Sequence, residues 1–168
     1  APKLGIYRNK LGLVFMEKEQ FGYAYNQFKK AHNIDSENLV YILNMGHAET
    51  ERGNYVEAEK HFIQAWDLDR EDHSAPRALA SLYFEKLNKK RKAHNILDEA
   101  IEADAKVDFQ DFFCIYDKVH FYALDKNQAG LKRELERIKD VSSKKEEKEF
   151  ASFMLYRTGS QLFDLRIF

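Results

Sequence analysis

The side chains that could catalyse a reaction or bind a metal are few in this sequence of 168 residues, which holds six histidines and one cysteine, Cys114. A catalytic thiol needs a partner base such as histidine. His120 follows Cys114 by six residues, which places it on a different face of a helix, so we expect Cys114 to be a small core residue. The sequence also lacks a phosphate-binding glycine loop, a Gly-x-Ser-x-Gly elbow and a His-Glu-x-x-His motif. These absences predict a protein that is not an enzyme.

Two short charged segments have compositions typical of ligand sites. Residues 67–73 are rich in acids, but they lack the central glycine of a calcium-binding loop, so we expect a solvated turn that precedes a helix N-terminus. Residues 86–92 carry five cations in seven positions. A nuclear localisation signal or a patch for an anionic partner is the functional alternative there, and a solvated turn is the interpretation we favour.

The composition excludes several classes of protein. Lys and Arg number 27 against 28 Asp and Glu, so the chain has no excess of cations for nucleic acid. No apolar run approaches the roughly 20 residues of a membrane-spanning helix, and a single cysteine excludes an internal disulfide. Seven glycines and two prolines predict long helices joined by short turns. We expect an all-α, soluble intracellular protein without cofactor, metal, nucleic acid or membrane insertion.

Two phrases recur along the chain at a nearly constant interval. The first is Ala24-x3-Phe28-x2-Ala31, then Ala58-x3-Phe62-x2-Ala65 after 34 residues, then Ala93-x3-Leu97-x2-Ala100 after 35. The second lies upstream as Leu11-Gly12-x2-Phe15, Met45-Gly46-x2-Glu49 and Leu79-Ala80-x2-Tyr83. Spacings of three and four place each phrase on one helical face. Each repeat is therefore a helix pair that buries its apolar face only by stacking on a neighbour.

These phrases resemble the tetratricopeptide repeat, a helix–turn–helix of 34 residues. The resemblance covers residues 5–104 as three clear repeats and fades to a degenerate fourth, in which Val119-x2-Tyr122 and Leu131-x3-Leu135-x2-Ile138 keep the spacing but not the small residues. The sequence departs from the family in its missing early tryptophan and in Ser36 and Arg70, where a proline is usual. The resemblance implies a right-handed superhelical solenoid of antiparallel helix pairs.

The periodicity also predicts where the helices lie. We expect first helices near 5–17, 39–51, 73–87 and 109–124, and second helices near 20–33, 54–67, 90–103 and 127–139. The extra residue of the third repeat is expected in the turn around Lys89. Capping boxes are expected at Asn54-x-x-Glu57 and Ser143-x-x-Glu146. Residues 1–140 are then the repeat domain, and residues 141–168 form its C-terminal capping helix, which is also a candidate contact for a homo-oligomer.

The resemblance further implies that the first helices line a concave groove that binds a protein partner. The inward positions carried over to this sequence are Asn9, Leu13, Met16, Leu43, His47, Arg77, Ser81, Phe84, Phe113, Tyr116 and His120. Most of the expected contact area is apolar and comes from Leu13, Leu43, Phe84, Phe113 and Tyr116. The lining therefore favours a peptide segment or a helix over a charged small molecule.

Two specific sites are not expected in this groove. His47 and His120 occupy equivalent positions two repeats apart, roughly 20 Å if neighbouring helices pack about 8–10 Å apart, so they cannot share a metal. Some members of the family hold the C-terminal carboxylate of chaperones with a clamp of Lys, Asn and Arg. Only Asn44 matches that clamp here; its other positions hold Asn9, Leu13, Ser74 and Ala78.

The leading functional hypothesis is a non-enzymatic adaptor or scaffold. A regulatory or substrate-recruiting domain of a larger enzyme or transcriptional regulator is the alternative, because the chain starts without methionine and ends on the largely apolar segment Leu165-Arg166-Ile167-Phe168. A secretion chaperone built from such repeats ranks third, because those proteins carry a helix before the first repeat and here the repeat opens near residue 5.

Overall fold

The computed structural model of the protein describes residues 2–103, 109–141 and 148. These residues form helices joined by short turns, and none of them lies in a strand. The helices are α1 (Pro2–Glu17), α2 (Phe21–His32), α3 (Leu39–Glu51), α4 (Tyr55–Leu68), α5 (Ser74–Ser81), a π-helical turn (Leu82–Lys86), α6 (Lys90–Ala103), α7 (Phe109–Leu124) and α8 (Gln128–Val141). The all-α class and the eight expected helices are therefore confirmed, with bounds that differ by a few residues.

Contacts divide the chain into two compact units, residues 1–96 and residues 97–168, with the boundary inside α6. In the first unit, α1 packs on α2, α2 on α3, α3 on α4 and α4 on α5. This order is the stacking of antiparallel helix pairs that the repeat predicts. In the second unit, α7 packs on α8. The proposed capping helix, including Ser143 and Glu146, lies outside the described residues except for Val141, which ends α8, and residue 148. The division at residue 140 stays a prediction.

A glycine and an aromatic ring set the distance between the two helices of a pair in the first unit. A Cβ atom on Gly12 would lie 2.4 Å from the Phe28 ring, and one on Gly46 would lie 2.5 Å from the Phe62 ring. Real Cβ atoms do not approach that closely, so only glycine allows these crossings. Both phenylalanines are essentially inaccessible to solvent. The recurring phrases thus produce the same glycine–phenylalanine contact in the first and second repeats.

The turn between the helices of a pair has the same hydrogen-bonding pattern in repeats 1, 2 and 4. A residue in the left-handed region ends the first helix: Glu19 (φ 56°), Gly53 (φ 79°) and Lys126 (φ 55°). The next residue donates its N–H to the carbonyl five positions back, as from Gln20 to Phe15 at 2.9 Å. This is the Schellman arrangement, which satisfies carbonyls that the helix end leaves unpaired.

The third repeat stores its extra residue inside the helix, which corrects the expectation that it lies in the turn around Lys89. The π-helical turn Leu82–Lys86 holds it, and the Leu87 N–H donates to the Leu82 carbonyl at 3.1 Å. The left-handed residue Asn88 (φ 51°) follows, and the Lys89 N–H reaches six positions back to the Tyr83 carbonyl at 2.7 Å. A π turn accommodates one additional residue without a longer loop.

Two local expectations are wrong for identifiable reasons. The Asn54 side chain makes no capping bond to α4. Its Nδ2 instead donates to Oε2 of buried Glu49 at 2.5 Å, while Glu57 pairs with Lys60. The basic turn is also more than solvated charge. Lys92 Nζ lies 3.0 Å from Glu59 Oε1 and 4.1 Å from the centre of the Tyr83 ring.

Candidate functional site

A hydrogen bond joins the first helices of repeats 1 and 2 on the face where the sequence predicts partner binding. Asn44 Nδ2 of α3 donates to Asn9 Oδ1 of α1 at 2.8 Å, and both side chains are half-buried. On each helix, the residues three and four positions away from the bonded asparagine lie on the same side as that asparagine. The hydrogen bond therefore identifies the sides of α1 and α3 that belong to one common surface.

Three apolar side chains lie about one helical turn from the two bonded asparagines and remain accessible to solvent. Ile6 is 48% exposed, Leu13 is 42% exposed and Val40 is 51% exposed. Ile6 and Leu13 flank Asn9 on α1, and Val40 precedes Asn44 by one turn on α3. We call the set Ile6, Asn9, Leu13, Val40, Asn44 and His47 the first-helix face.

Met16, one turn beyond Leu13, belongs more to the core than to this face. It is half-buried and packs against the cluster formed by Ala24, Phe28, Met45 and Ala48. Its flexible thioether fills the space under the face, so we expect Met16 to support bound segments rather than to contact them over a large area.

His47 closes one end of the first-helix face. Its ring lies edge-on to the buried Phe62 ring, with centres 5.1 Å apart, yet the residue as a whole is exposed. The surrounding protein disfavours the imidazolium and lowers the pKa of His47 below its ordinary value, and Glu51 one turn away opposes that shift. The neutral ring is therefore the favoured form near pH 7. In this form one ring nitrogen donates a hydrogen bond and the other accepts one.

Leu43 and Phe84 do not supply the surface that the sequence analysis expects of them, since each is only 8% exposed. Leu43 lies in the core beneath α3. Phe84 falls in the π turn, which breaks the register on which it was placed. Its ring packs edge-on to His94 at 6.3 Å and lies 5.6 Å from Lys90 Nζ. Arg77 and Ser81 are half-buried on α5.

The remaining predicted residues lie on α7 in the second unit. Phe113 and His120 are exposed and Tyr116 is half-buried. Their spacing of three and four residues places them on one side of this helix. The second unit thus presents an aromatic row of its own.

A buried charged cluster in the second unit was not predicted from the sequence. Lys118 is 1% exposed and contacts both Asp98 and Glu134, the latter at 3.0 Å. Arg133 and Arg137 approach Glu134 from α8 at 3.1 and 3.8 Å. Lys118 occupies the repeat position held by Leu11, Met45 and Leu79. That break in the repeat pattern was the available signal.

The described part of the chain contains neither a metal-binding cluster nor a membrane-spanning helix. Across residues 2–103 and 109–141, no three His, Cys, Asp or Glu side chains lie close enough together to hold a metal ion. Cys114 is buried. Within those same residues, no helix has both the length and the apolar character needed to cross a membrane.

The fold that these helix pairs define is that of tetratricopeptide-repeat proteins. A tetratricopeptide repeat protein from Parabacteroides merdae ATCC 43184 superposes with a TM-score of 0.65 at 17% identity, over 95% of this chain and 61% of the other. PilW, a widely conserved type IV pilus biogenesis factor, also superposes with a TM-score of 0.65, at 16% identity over 96% of this chain and 71% of its own. This chain therefore spans about three fifths of the first of these proteins. No family model and no curated protein matches the sequence.

Proposed function

We propose that the protein is a non-enzymatic interaction module whose first-helix face binds an apolar segment of a partner protein. The observation that carries the proposal is the exposure of Ile6, Leu13 and Val40 around the Asn9–Asn44 hydrogen bond. Apolar contact area with a few fixed polar groups is typical of sites that bind peptides. The fold supports this use, because repeat solenoids present extended surfaces to their partners.

The charge of the face favours an uncharged, apolar occupant. The Asn9 and Asn44 amides offer hydrogen bonds without net charge, and the lowered pKa of His47 favours its neutral ring. Burying apolar area contributes about 25 cal/mol per Å² before association costs are subtracted. Two or three buried anchors then give affinities on the order of micromolar, which suits a reversible adaptor.

A displayed library of peptides of random sequence, selected on the intact chain, tests this proposal. Selected peptides are synthesised and titrated by calorimetry against the parent, Leu13→Asp, Val40→Asp and the control Val56→Asp, which changes an exposed valine on α4. We expect apolar consensus positions and a loss of about tenfold or more for the two face variants, because a buried carboxylate is strongly disfavoured. The control should bind like the parent.

A different pattern would overturn the proposal. If the selected peptides are acidic, lose affinity with Arg77→Ala and weaken steeply with salt, then the groove binds an acidic ligand. If Leu13→Asp and Val40→Asp bind as the parent does, the peptides use another surface.

A further inference from the structure

The side chains of the first-helix face form three pairs, each with one member on α1 and one on α3. The pairs are Ile6 with Val40, Asn9 with Asn44, and Leu13 with His47. The members of the first and the third pair are 34 residues apart and are therefore repeat equivalents on neighbouring first helices. Seven residues separate these two pairs along each helix, which is about 10 Å at a rise of about 1.5 Å per residue. An occupant that lies along α1 and α3 thus meets an apolar pair, an amide pair, and a leucine beside an imidazole.

The amide pair can make hydrogen bonds beyond the one that joins it. Asn44 Nδ2 donates to Asn9 Oδ1 at 2.8 Å, and among residues 2–103 and 109–141 no second partner bonds to either amide. Asn44 Oδ1 therefore remains as an acceptor and Asn9 Nδ2 as a donor. Neither atom is fully buried, so both are accessible to an occupant. The middle of the face offers one donor and one acceptor side by side.

A carboxamide matches this donor and acceptor, because it carries one of each on neighbouring atoms. It can donate to Asn44 Oδ1 and accept from Asn9 Nδ2 at the same time. A carboxylate only accepts and an ammonium group only donates, so each leaves one of the two asparagine atoms unpaired when the occupant covers it. An apolar side chain leaves both unpaired, and burying an unpaired polar atom costs binding free energy. The amide pair therefore favours glutamine or asparagine over charged and apolar residues.

The spacing of the outer pairs favours a helical occupant. Side chains seven residues apart lie on one side of a helix and about 10 Å apart along it, which matches the distance between the first and the third pair. A residue three or four positions after the first anchor then faces the amide pair. In a strand, side chains on one face recur about every 7 Å, so a second anchor lies about 3–4 Å short of its pair or beyond it.

We propose that the first-helix face binds an amphipathic helix of a partner protein that carries a glutamine or asparagine midway between two apolar residues seven positions apart. One apolar residue packs on Ile6 and Val40 and the other packs on Leu13, while the carboxamide bonds to the two asparagines. This inference rests on the proposed function and names the chemistry of the occupant.

Four peptides that differ at one position serve as probes. Each has about 20 residues, is rich in alanine with Glu–Lys pairs for helicity, and carries two leucines seven residues apart. The residue four positions after the first leucine is Gln, Leu, Glu or Lys. A fifth peptide has Gln at that position and a proline directly after it, which breaks the helix. Each peptide carries a fluorescent label, and its binding to the intact chain is followed by fluorescence anisotropy.

We expect the parent to bind the Gln peptide about tenfold more tightly than the Leu, Glu and Lys peptides, because only the carboxamide pairs with both asparagines. The proline peptide should not bind. In the Asn9→Leu, Asn44→Leu double variant the preference should reverse, with the Leu peptide bound most tightly. Val56→Asp, which changes an exposed valine on α4, is the control and should keep the parent's order of affinities.

The inference is wrong if the parent binds the Leu peptide as tightly as the Gln peptide, or if the proline peptide binds as well as its helical counterpart. It is also wrong if none of the five peptides binds, or if the double variant keeps the preference for Gln. Each of these results leaves the proposed function intact as long as Leu13→Asp and Val40→Asp weaken the binding of the library-selected peptides. If those two variants bind the selected peptides as the parent does, the proposed function fails as well.

Discussion

In the second repeat the glycine that permits close approach lies on the first helix, whereas in the fourth pair it lies on the second helix. Gly46 of α3 faces the Phe62 ring of α4, and Gly130 of α8 faces the Tyr122 ring of α7 at 2.4 Å from an ideal Cβ. The fourth pair therefore keeps the combination of glycine and ring while exchanging the helices that carry them. A repeat that looks degenerate in sequence can preserve the packing rule that defines the others.

The two units also differ in the residue at the repeat position occupied by Met45 in the second repeat and by Lys118 in the fourth. Met45 is part of an apolar cluster in the first unit. Lys118 fills the same repeat position in the second unit and is surrounded by carboxylates and arginines. Apolar contacts tolerate small adjustments, whereas a buried charge depends on every partner. The second unit should therefore be the more sensitive to single substitutions.

The largest expected effect comes from removing the buried ammonium group. Lys118→Met places the side chain of Met45 at the equivalent position, but it leaves buried Glu134 without its closest lysine. We expect a loss of about 3 kcal/mol in the free energy of unfolding, because the buried Glu134 carboxylate is left with only the more exposed Arg133 and Arg137 as partners. The measurement is urea unfolding followed by circular dichroism.

A double variant provides the control for that loss. Lys118→Met combined with Glu134→Leu replaces the pair by apolar side chains and should regain most of the lost stability. If Lys118→Met alone unfolds at the same urea concentration as the parent, the ion pair contributes nothing and the comparison between the units fails.

A smaller effect is expected at the glycine contacts. Gly46→Leu should cost about 1–3 kcal/mol, because its side chain overpacks against the buried Phe62 ring. Gly130→Leu should cost less, because the Tyr122 ring is only half-buried and can move toward solvent. Gly22→Leu is the control, since no atom lies within 4 Å of a Cβ placed there. Thermal melts that rank Gly46→Leu with Gly22→Leu would show that the crossing is looser than its geometry indicates.

Substitutions of different basic residues at 86–92 should change the free energy of unfolding by different amounts. Lys92→Ser removes the contacts with Glu59 and Tyr83, and we expect a loss of about 0.5–1 kcal/mol, the usual range for an exposed cation over an aromatic ring. Arg91→Ser should stay within about 0.5 kcal/mol of the parent. Equal stability of the two variants in the same unfolding assay would mean that the Lys92 contacts do not persist in solution.

The smallest effect concerns pH. Desolvation of the rings by the surrounding protein lowers the pKa values of His47 and His61, so the unfolded chain takes up protons at a higher pH than the folded chain. The free energy of unfolding should therefore decline as pH falls through the ordinary histidine range near about 6.5 and level off below the folded pKa values. Unfolding midpoints at several pH values, compared between the parent and His47→Gln, measure this; the variant should show the shallower decline.

The helices were predictable because each is encoded locally. The recurring small residues and phenylalanines specify both the helical face and the contact it makes, so bounds could be placed within a few residues. The site was less predictable. Phe84 was assigned by counting in steps of 34. The extra residue shows in the sequence only as the 35-residue step to Ala93, which does not reveal whether that residue lies in the turn or in a π turn within the helix. The Asn9–Asn44 bond joins residues that are not repeat equivalents, so the repeat alone did not pair them.

Lys118 illustrates a different obstacle. A lysine in an amphipathic helix is normally read as solvent-facing, and its burial depends on acids from two other helices, Asp98 and Glu134. Only the position of Lys118 in the repeat, where other copies hold Leu or Met, carried information about its environment. Long-range charge pairing of this kind is fixed by packing and not by local pattern.

The π turn at Leu82–Lys86 has a consequence for how this chain tolerates insertions and deletions. Because the extra residue is absorbed within the helix, the following turn still has a left-handed residue, Asn88, directly before the residue whose N–H bonds back to the first helix, although that bond spans six positions instead of five. Deleting one residue between Leu82 and Lys86 would restore a 34-residue period and regular helical hydrogen bonds, and it would rotate every side chain between the deletion and Asn88 by about one helical step of 100°. We therefore expect the deletion of a single codon at this point to change which side chains the third repeat buries.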